Sequence, residues 1–204
     1  MTTRVQLPAP SRLRGLAGLL MTRRSVREYD GKAVSLVEMA RLLWSGQGVS
    51  HSSGKRTTPS PHGLNPLSLY LVAGDVTGLN AGLYLYESRS HTLAVVGYGD
   101  LRTDLYHAAL EDQPWIESCA ALIVIAGDVG RAEKEFAAQP PDGRRGRRYT
   151  FIEAGAAAQG IALRAVEMDL GTVLVGGFDD DEVKQCLKLR VEPLVMIPVG
   201  RLPQ

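Results

Sequence analysis

The residues with the most evident chemistry are arginines. Arg23, Arg24 and Arg27 surround Ser25 in the stretch RRSVREYD, residues 23–30. A guanidinium fork matches the paired oxygens of a phosphate, and a serine hydroxyl adds a donor. Side chains alternate along an extended segment, so Arg23, Ser25 and Arg27 would share one side. A helix C-terminus would use the same cations to complement its dipole.

Three further stretches could meet a ligand. RTTPSPHGLNP, residues 56–66, has its path constrained by Pro59, Pro61, Gly63 and Pro66. Ser60, His62 and Asn65 could then point at a planar ligand, or the stretch could be a plain surface loop. VGGFDD, residues 175–180, runs a strand into a Gly-Gly turn. Glycine lets backbone N–H groups approach a ligand closely. An ordinary turn into a helix capped by Asp179 or Asp180 would have the same composition. PVGR ends in Arg201, a cation just beyond the last apolar run.

Other chemistries are missing their residues. The sequence has no G-x-G-x-x-G after a first strand, no G-x-x-x-x-G-K-[ST], no H-E-x-x-H and no G-x-S-x-G. The four histidines are scattered, and the two cysteines, Cys119 and Cys186, have neither metal nor disulfide-scaffold spacing. Cys119 lies in the apolar run CAALIVIA and reads as a buried, inert thiol. A net charge of +1 supplies no global field for nucleic acid or an anionic membrane. The basic run RRGRR, residues 144–148, therefore reads as a solvent-exposed loop or a rim for an anionic substrate. No apolar run approaches the roughly 20 residues of a membrane span. The expectation is a cytoplasmic protein.

The elements that must position these residues follow from periodicity and caps. Leu13, Leu16, Leu19 and Leu20 form a helical stripe over residues 11–22. Ser35-Leu-Val-Glu38 is a capping box that opens a helix to about Trp44. A long loop follows to Pro66, then a strand at residues 67–73 and a hairpin near 83–86 and 92–96. Asp100 would cap a helix from Leu101 to about Leu110, and CAALIVIAGD is a buried strand. Residues 130–148 read as a loop or short helix. Thr150-Phe-Ile-Glu153 resembles a second capping box, opening a long helix that Gly171 would end. TVLVGGF is a strand, DDDEVKQCLKL a helix and PLVMIPVG a last strand. The order predicts an α+β or three-layer sandwich, one domain over 1–204 with residues 1–10 as a flexible tail.

Taken together and in order, these stretches resemble the nitroreductase family of flavin mononucleotide (FMN) enzymes, most nearly its SagB-type dehydrogenase branch. The resemblance rests on RRSVREY, SLVEMARLLWSGQGV, RTTPSPHGLNPLSLYLV, AGLYLYE, GDLR, YTFIEAGAAAQ, LGTVLVGGFDDDEV and PLVMIPVGR, over about residues 18–201. It implies an α+β fold with a central, mainly antiparallel sheet between helices. It also implies an intertwined homodimer with FMN at the interface. Arg23, Arg24, Ser25 and Arg27 would grip the phosphate, ribityl chain and pyrimidine edge, with Arg27 near flavin N1 and O2. Pro59 and Ser60 would stand beside the ring, supplied by the partner chain. Leu174, Val175, Gly176 and Gly177 would face the isoalloxazine, with a backbone N–H near N5. Arg201 would reach the phosphate.

The implied activity is hydride transfer from NADH or NADPH through FMN to a small nitro- or quinone-like acceptor. Because the flavin does the chemistry, no catalytic side chain, metal, nucleic acid or membrane is expected. The same resemblance leaves two alternatives: oxidation of azolines in a ribosomal peptide, or FMN binding without turnover. Three stretches depart from the family pattern, one of them GAAAQG in the long helix, where relatives often carry histidine after the glycine. The flavin loop reads Pro59-Ser60-Pro61-His62-Gly63, and Lys134 is followed by Glu135 where azoline-oxidising members carry tyrosine.

Overall fold

The computed structural model describes residues 14–203 together with Arg4 and Gln6. The expected tail at 1–10 and the helical position of Leu13 otherwise lie outside the described residues. The first helix, α1, runs Leu16–Thr22, and β1 (Val34–Ser35) leads directly into α2 (Leu36–Gln47). The capping box at α2 is present: the Ser35 hydroxyl accepts from Glu38 N, and the Glu38 carboxylate accepts from Ser35 N. Next come β2 (Leu67–Ala73), β3 (Val76–Thr77) and the hairpin β4 (Gly82–Glu87) and β5 (Thr92–Tyr98). Two short helices, α3 (Arg102–His107) and α4 (Trp115–Ser118), precede β6 (Ala121–Gly127). The chain ends with α5 (Val129–Glu135), α6 (Arg145–Glu167), β7 (Leu170–Thr172), α7 (Asp180–Leu187) and β8 (Glu192–Arg201).

Six strands form one sheet in the order β5-β4-β2-β6-β8-β7. Every neighbouring pair in it is antiparallel. The α+β class is as the order of elements predicts, and the antiparallel central sheet is as the resemblance implies. Helices cover both faces, which is why β6 is buried at every position. Its side chains alternate between two cores. Ile123 and Ile125 pack with Met39, Leu43, Ala157 and Ile161 of α2 and α6. Leu122 and Val124 pack with Leu105, Ile116, Val183 and Leu187 of α3, α4 and α7. Cys119 is fully buried at the start of β6, its thiol donating to Ile116 O at 3.1 Å. No helix among the described residues is long and apolar enough to cross a membrane.

Five local expectations are corrected. The long helix α6 begins at Arg145, so the basic run is its first turn rather than a loop. Thr150 is therefore not a cap: its hydroxyl donates back to Gly146 O at 3.0 Å inside the helix. Arginine favours helix, and Tyr149 meets Phe136 edge to face with ring centroids 4.8 Å apart, which folds this turn onto the end of α5. Gly171 lies in β7, and the turn after α6 is made by Asp169 in the left-handed region (φ 54°). The strand expected over TVLVGGF starts earlier and leaves the sheet after Thr172, returning only as a bridge between Val175 and Met196. Asp100 does not cap a helix beginning at Leu101; it accepts from the backbone and side chain of Arg102.

Candidate functional site

The arginine stretch begins where α1 ends. Arg24 turns back, and its Nη1 donates to Met21 O at 2.7 Å and Arg23 O at 2.8 Å. That satisfies carbonyls a helix end leaves open. The chain then runs extended beside the last two strands, with Val26 N donating to Thr172 O at 2.9 Å and Asp30 N to Arg201 O at 3.2 Å. Two glycines permit this docking. A Cβ on Gly171 would lie 2.6 Å from Val26 Cγ1, and one on Gly200 would lie 2.5 Å from the Tyr29 ring. Val26 and Tyr29 thus face the sheet while Ser25 and Arg27 are exposed. Tyr29 donates its hydroxyl to Val26 O at 3.2 Å, and burial pushes its phenol pKa upward. Among the described residues, neither Arg23 nor Arg27 is paired with a carboxylate.

Arg27 lies over the Trp115 ring, 5.3 Å from its centroid, a cation–π contact. Two residues before that tryptophan, Gln113 donates its side-chain amide to Gly177 O at 3.0 Å. Gly177 O also accepts from Leu110 N at 3.1 Å. Residues 110–115 therefore tie the arginine stretch to the Gly-Gly turn. Val175 is buried and exchanges two backbone hydrogen bonds with Met196, at 2.8 and 2.9 Å. With Val175 pinned inward, Leu174 and Gly176 are exposed, and the Cβ position of Gly176 meets no atom. The result is an accessible edge with a cation at one end and open backbone at the other.

Arg201 belongs to the neighbouring corner. Its Nε donates to Ala33 O at 3.1 Å and its Nη2 to Glu38 Oε2 at 3.0 Å. Burial pushes the Glu38 carboxyl up, but hydrogen bonds from Ser35 and the Arg201 charge outweigh it and hold the pKa below the usual value. Arg201 thus joins the end of β8 to the start of α2.

Pro59 and Ser60 lie elsewhere, and no hydrogen bond or ion pair among the described residues joins them to the Arg27–Gly177 edge. Their loop is strapped to the end of α2 by Thr58, whose hydroxyl donates to Gly46 O at 2.5 Å, and by Thr57 N, which donates to Gly48 O at 2.8 Å. Beneath it runs a polar relay. Arg56 Nη1 donates to Gln47 Oε1 at 2.6 Å, and Gln47 Nε2 donates to Glu153 Oε1 at 3.3 Å. Gln47 and Glu153 are each 1% exposed, and Glu153 Oε2 has no partner. Burial pushes the Glu153 carboxyl pKa up, with Ser60, Gln47 and the Arg56 charge offsetting only part of it. Above lies a polar depression of about 430 Å³ whose lining includes Ser53, Lys55, Arg56, Pro59, Ser60 and Asn65.

Fold and site together point to one class of protein. The nitroreductase family model matches residues 20–201, and the chain belongs to that family. A protein of Methanocaldococcus jannaschii carrying a nitroreductase name is 34% identical over 200 residues, covering 98% of this chain and 97% of that one. Among solved structures, a nitroreductase-named protein of Anabaena variabilis superposes with a TM-score of 0.78 and 26% identity. That match covers 92% of this chain but 38% of the longer Anabaena chain. A chain of the Escherichia coli microcin synthetase McbBCD complex superposes with a TM-score of 0.74 at 18% identity, over 100% of this chain and 79% of that one, a likeness of fold.

The sequence alone did not single out Gln113, Trp115, Gln47, Arg56 or Glu153 for these contacts. The only local signal was QPW (residues 113–115), a polar and aromatic interruption just before an apolar strand. Glu153 was read as a helix cap and is instead part of the interior.

Proposed function

We propose that the chain is an FMN-dependent oxidoreductase that takes hydride from NADH or NADPH and delivers it to a small nitro- or quinone-like acceptor. The observation that carries this is the convergence of Arg27 and Gly177 through residues 113–115, in a chain of the nitroreductase family. FMN, when bound, supplies the hydride chemistry. The residues present fit it on two counts: guanidinium groups at 23 and 27 lacking carboxylate partners, and an exposed Gly176 with nothing over its Cβ position.

Each residue then has a task. Arg23 and Ser25 offer donors to the phosphate and ribityl hydroxyls. Arg27, steadied on Trp115, offers positive charge to the electron-rich pyrimidine edge. Val175 fixes the strand end so that the exposed backbone at 176–177 meets the ring. Arg24 is engaged in capping α1 and Arg201 in holding Glu38, so they support the stretch from either end.

Pro59 and Ser60 reach such a ring only from a second copy of the chain. We therefore include an intertwined homodimer in the proposal. Exposed Leu16, Leu20 and Met21 on α1, and Phe151 and Ile152 on α6, provide apolar surface for it. The decisive experiment is the visible absorption spectrum of the purified protein. A flavin spectrum bleached anaerobically by NADH or NADPH is expected. A colourless protein that does not retain added FMN would rule the assignment out.

A further inference from the structure

The depression above the Arg56 relay contains a cation that no carboxylate among the described residues meets directly; Glu153 acts on it only across Gln47. Arg56 is only partly exposed, and no carboxylate among the described residues lies within ion-pair distance of it. Its one side-chain hydrogen bond goes to the neutral amide of Gln47. Burial, and the Arg89 charge nearby, push its pKa below the ordinary arginine value against the pull of Glu153. Lys55 adds a second cation to the same lining.

Neutral donors and small residues surround them. Ser60 Oγ accepts from Asn65 N at 2.8 Å, and its hydroxyl also serves the Glu153 carboxyl below. Gly54 and Gly63, both with positive φ, also line the space. A half-desolvated guanidinium is costly unless an anion meets it. The support behind it is rigid: Gln47 ends α2, Glu153 sits in the middle of α6, and both are buried.

We propose that this depression is an oxyanion subsite, in which Arg56 with Lys55 takes the phosphate or carboxylate group of a reactant of the flavin chemistry. Arg56 binds the group directly; Gln47 and Glu153 are positioning residues that aim it. The nature of the reactant rests on the proposed function, whereas the anion site does not. Two sources share the required chemistry: the 2′-phosphate that distinguishes NADPH from NADH, and a carboxylate on the acceptor.

The test uses FMN-loaded wild type, Arg56→Gln and Arg56→Lys. KM and kcat are measured for NADPH against NADH, and for 4-nitrobenzoate against nitrobenzene. Arg56→Gln should raise KM about tenfold for the charged member of one pair, in keeping with a lost charge-assisted hydrogen bond. Its neutral counterpart, kcat and the FMN content should stay within twofold, and Arg56→Lys should recover most of the loss. The pair that responds identifies the source. Glu153→Ala should raise the same KM, and Glu153→Gln should restore it.

Equal shifts within each pair, or no shift in either, would overturn the subsite. A fall in FMN content would assign Arg56 to the flavin grip and overturn it as well. If the protein proves to have no flavin turnover, calorimetric binding of inorganic pyrophosphate to the purified protein decides the matter. Weaker binding to Arg56→Gln supports an anion site, and equal binding to both proteins refutes it.

Discussion

Arg27 and Glu153 carry the clearest consequences of single side chains. Arg27 is exposed, lacks a carboxylate partner among the described residues and is steadied by Trp115. Arg27→Ala should lower FMN affinity about tenfold and slow flavin reduction, as expected for one lost charge-assisted contact. Equilibrium dialysis and anaerobic stopped-flow would measure both, and unchanged values would leave Arg27 as a solvated charge. Glu153 acts on stability. Its folded pKa lies above the ordinary carboxyl value because it is buried. The stability it contributes is complete below the unfolded carboxyl pKa and is lost as pH rises through the folded one. Glu153→Gln cannot ionise, so its melting temperature should gain on that of wild type as pH rises through that window and keep a constant lead above it. Parallel pH–melting curves for the two proteins would show that burial does not control this group.

At the scale of elements, the site depends on close backbone approach. The extended stretch after α1 lies against β7 and β8 only because positions 171 and 200 have no side chain. Gly200→Ala should cost about 1–3 kcal/mol through overpacking against Tyr29. It should weaken FMN binding too, because Arg27 moves with that stretch; denaturant melts and flavin titration check the two effects. A melt within error of wild type would mean that Tyr29 has room to turn away. Much of this scale was legible in the sequence. Apolar periodicity located α2, β2 and β6, and side-chain oxygens marked real caps at Ser35 and Asp179. The pattern failed at Thr150-x-x-Glu153 because tertiary packing, rather than local capping, determines where those side chains go. Nor could a local pattern join Gln113 to Gly177, which are 64 residues apart. Four separate stretches were readable as chemistry, but which of them meet within one chain was not.

The whole molecule presents apolar side chains on α1 and α6 that one chain leaves uncovered. Ile152, 61% exposed, marks the α6 part of this surface. Under the proposed homodimer, Ile152→Glu should shift the protein from dimer to monomer in light scattering and release FMN, since Pro59 and Ser60 would no longer reach a neighbouring flavin. A monomeric wild type that retains FMN would contradict this arrangement. The two sulfur chemistries of the chain divide along the same surface. Burial pushes the Cys119 thiol to about 12 and Cys186 to about 11, so neither offers appreciable thiolate near neutral pH. Met39 and Met196 are sealed in the cores, while Met21 is exposed on α1. Among the described residues, Met21 is thus the sulfur most open to peroxide, with Met168 half-buried. Of the described methionines, oxidation should therefore reach Met21 first, and the proposed dimer, by covering that side chain, should lengthen the working life of the protein.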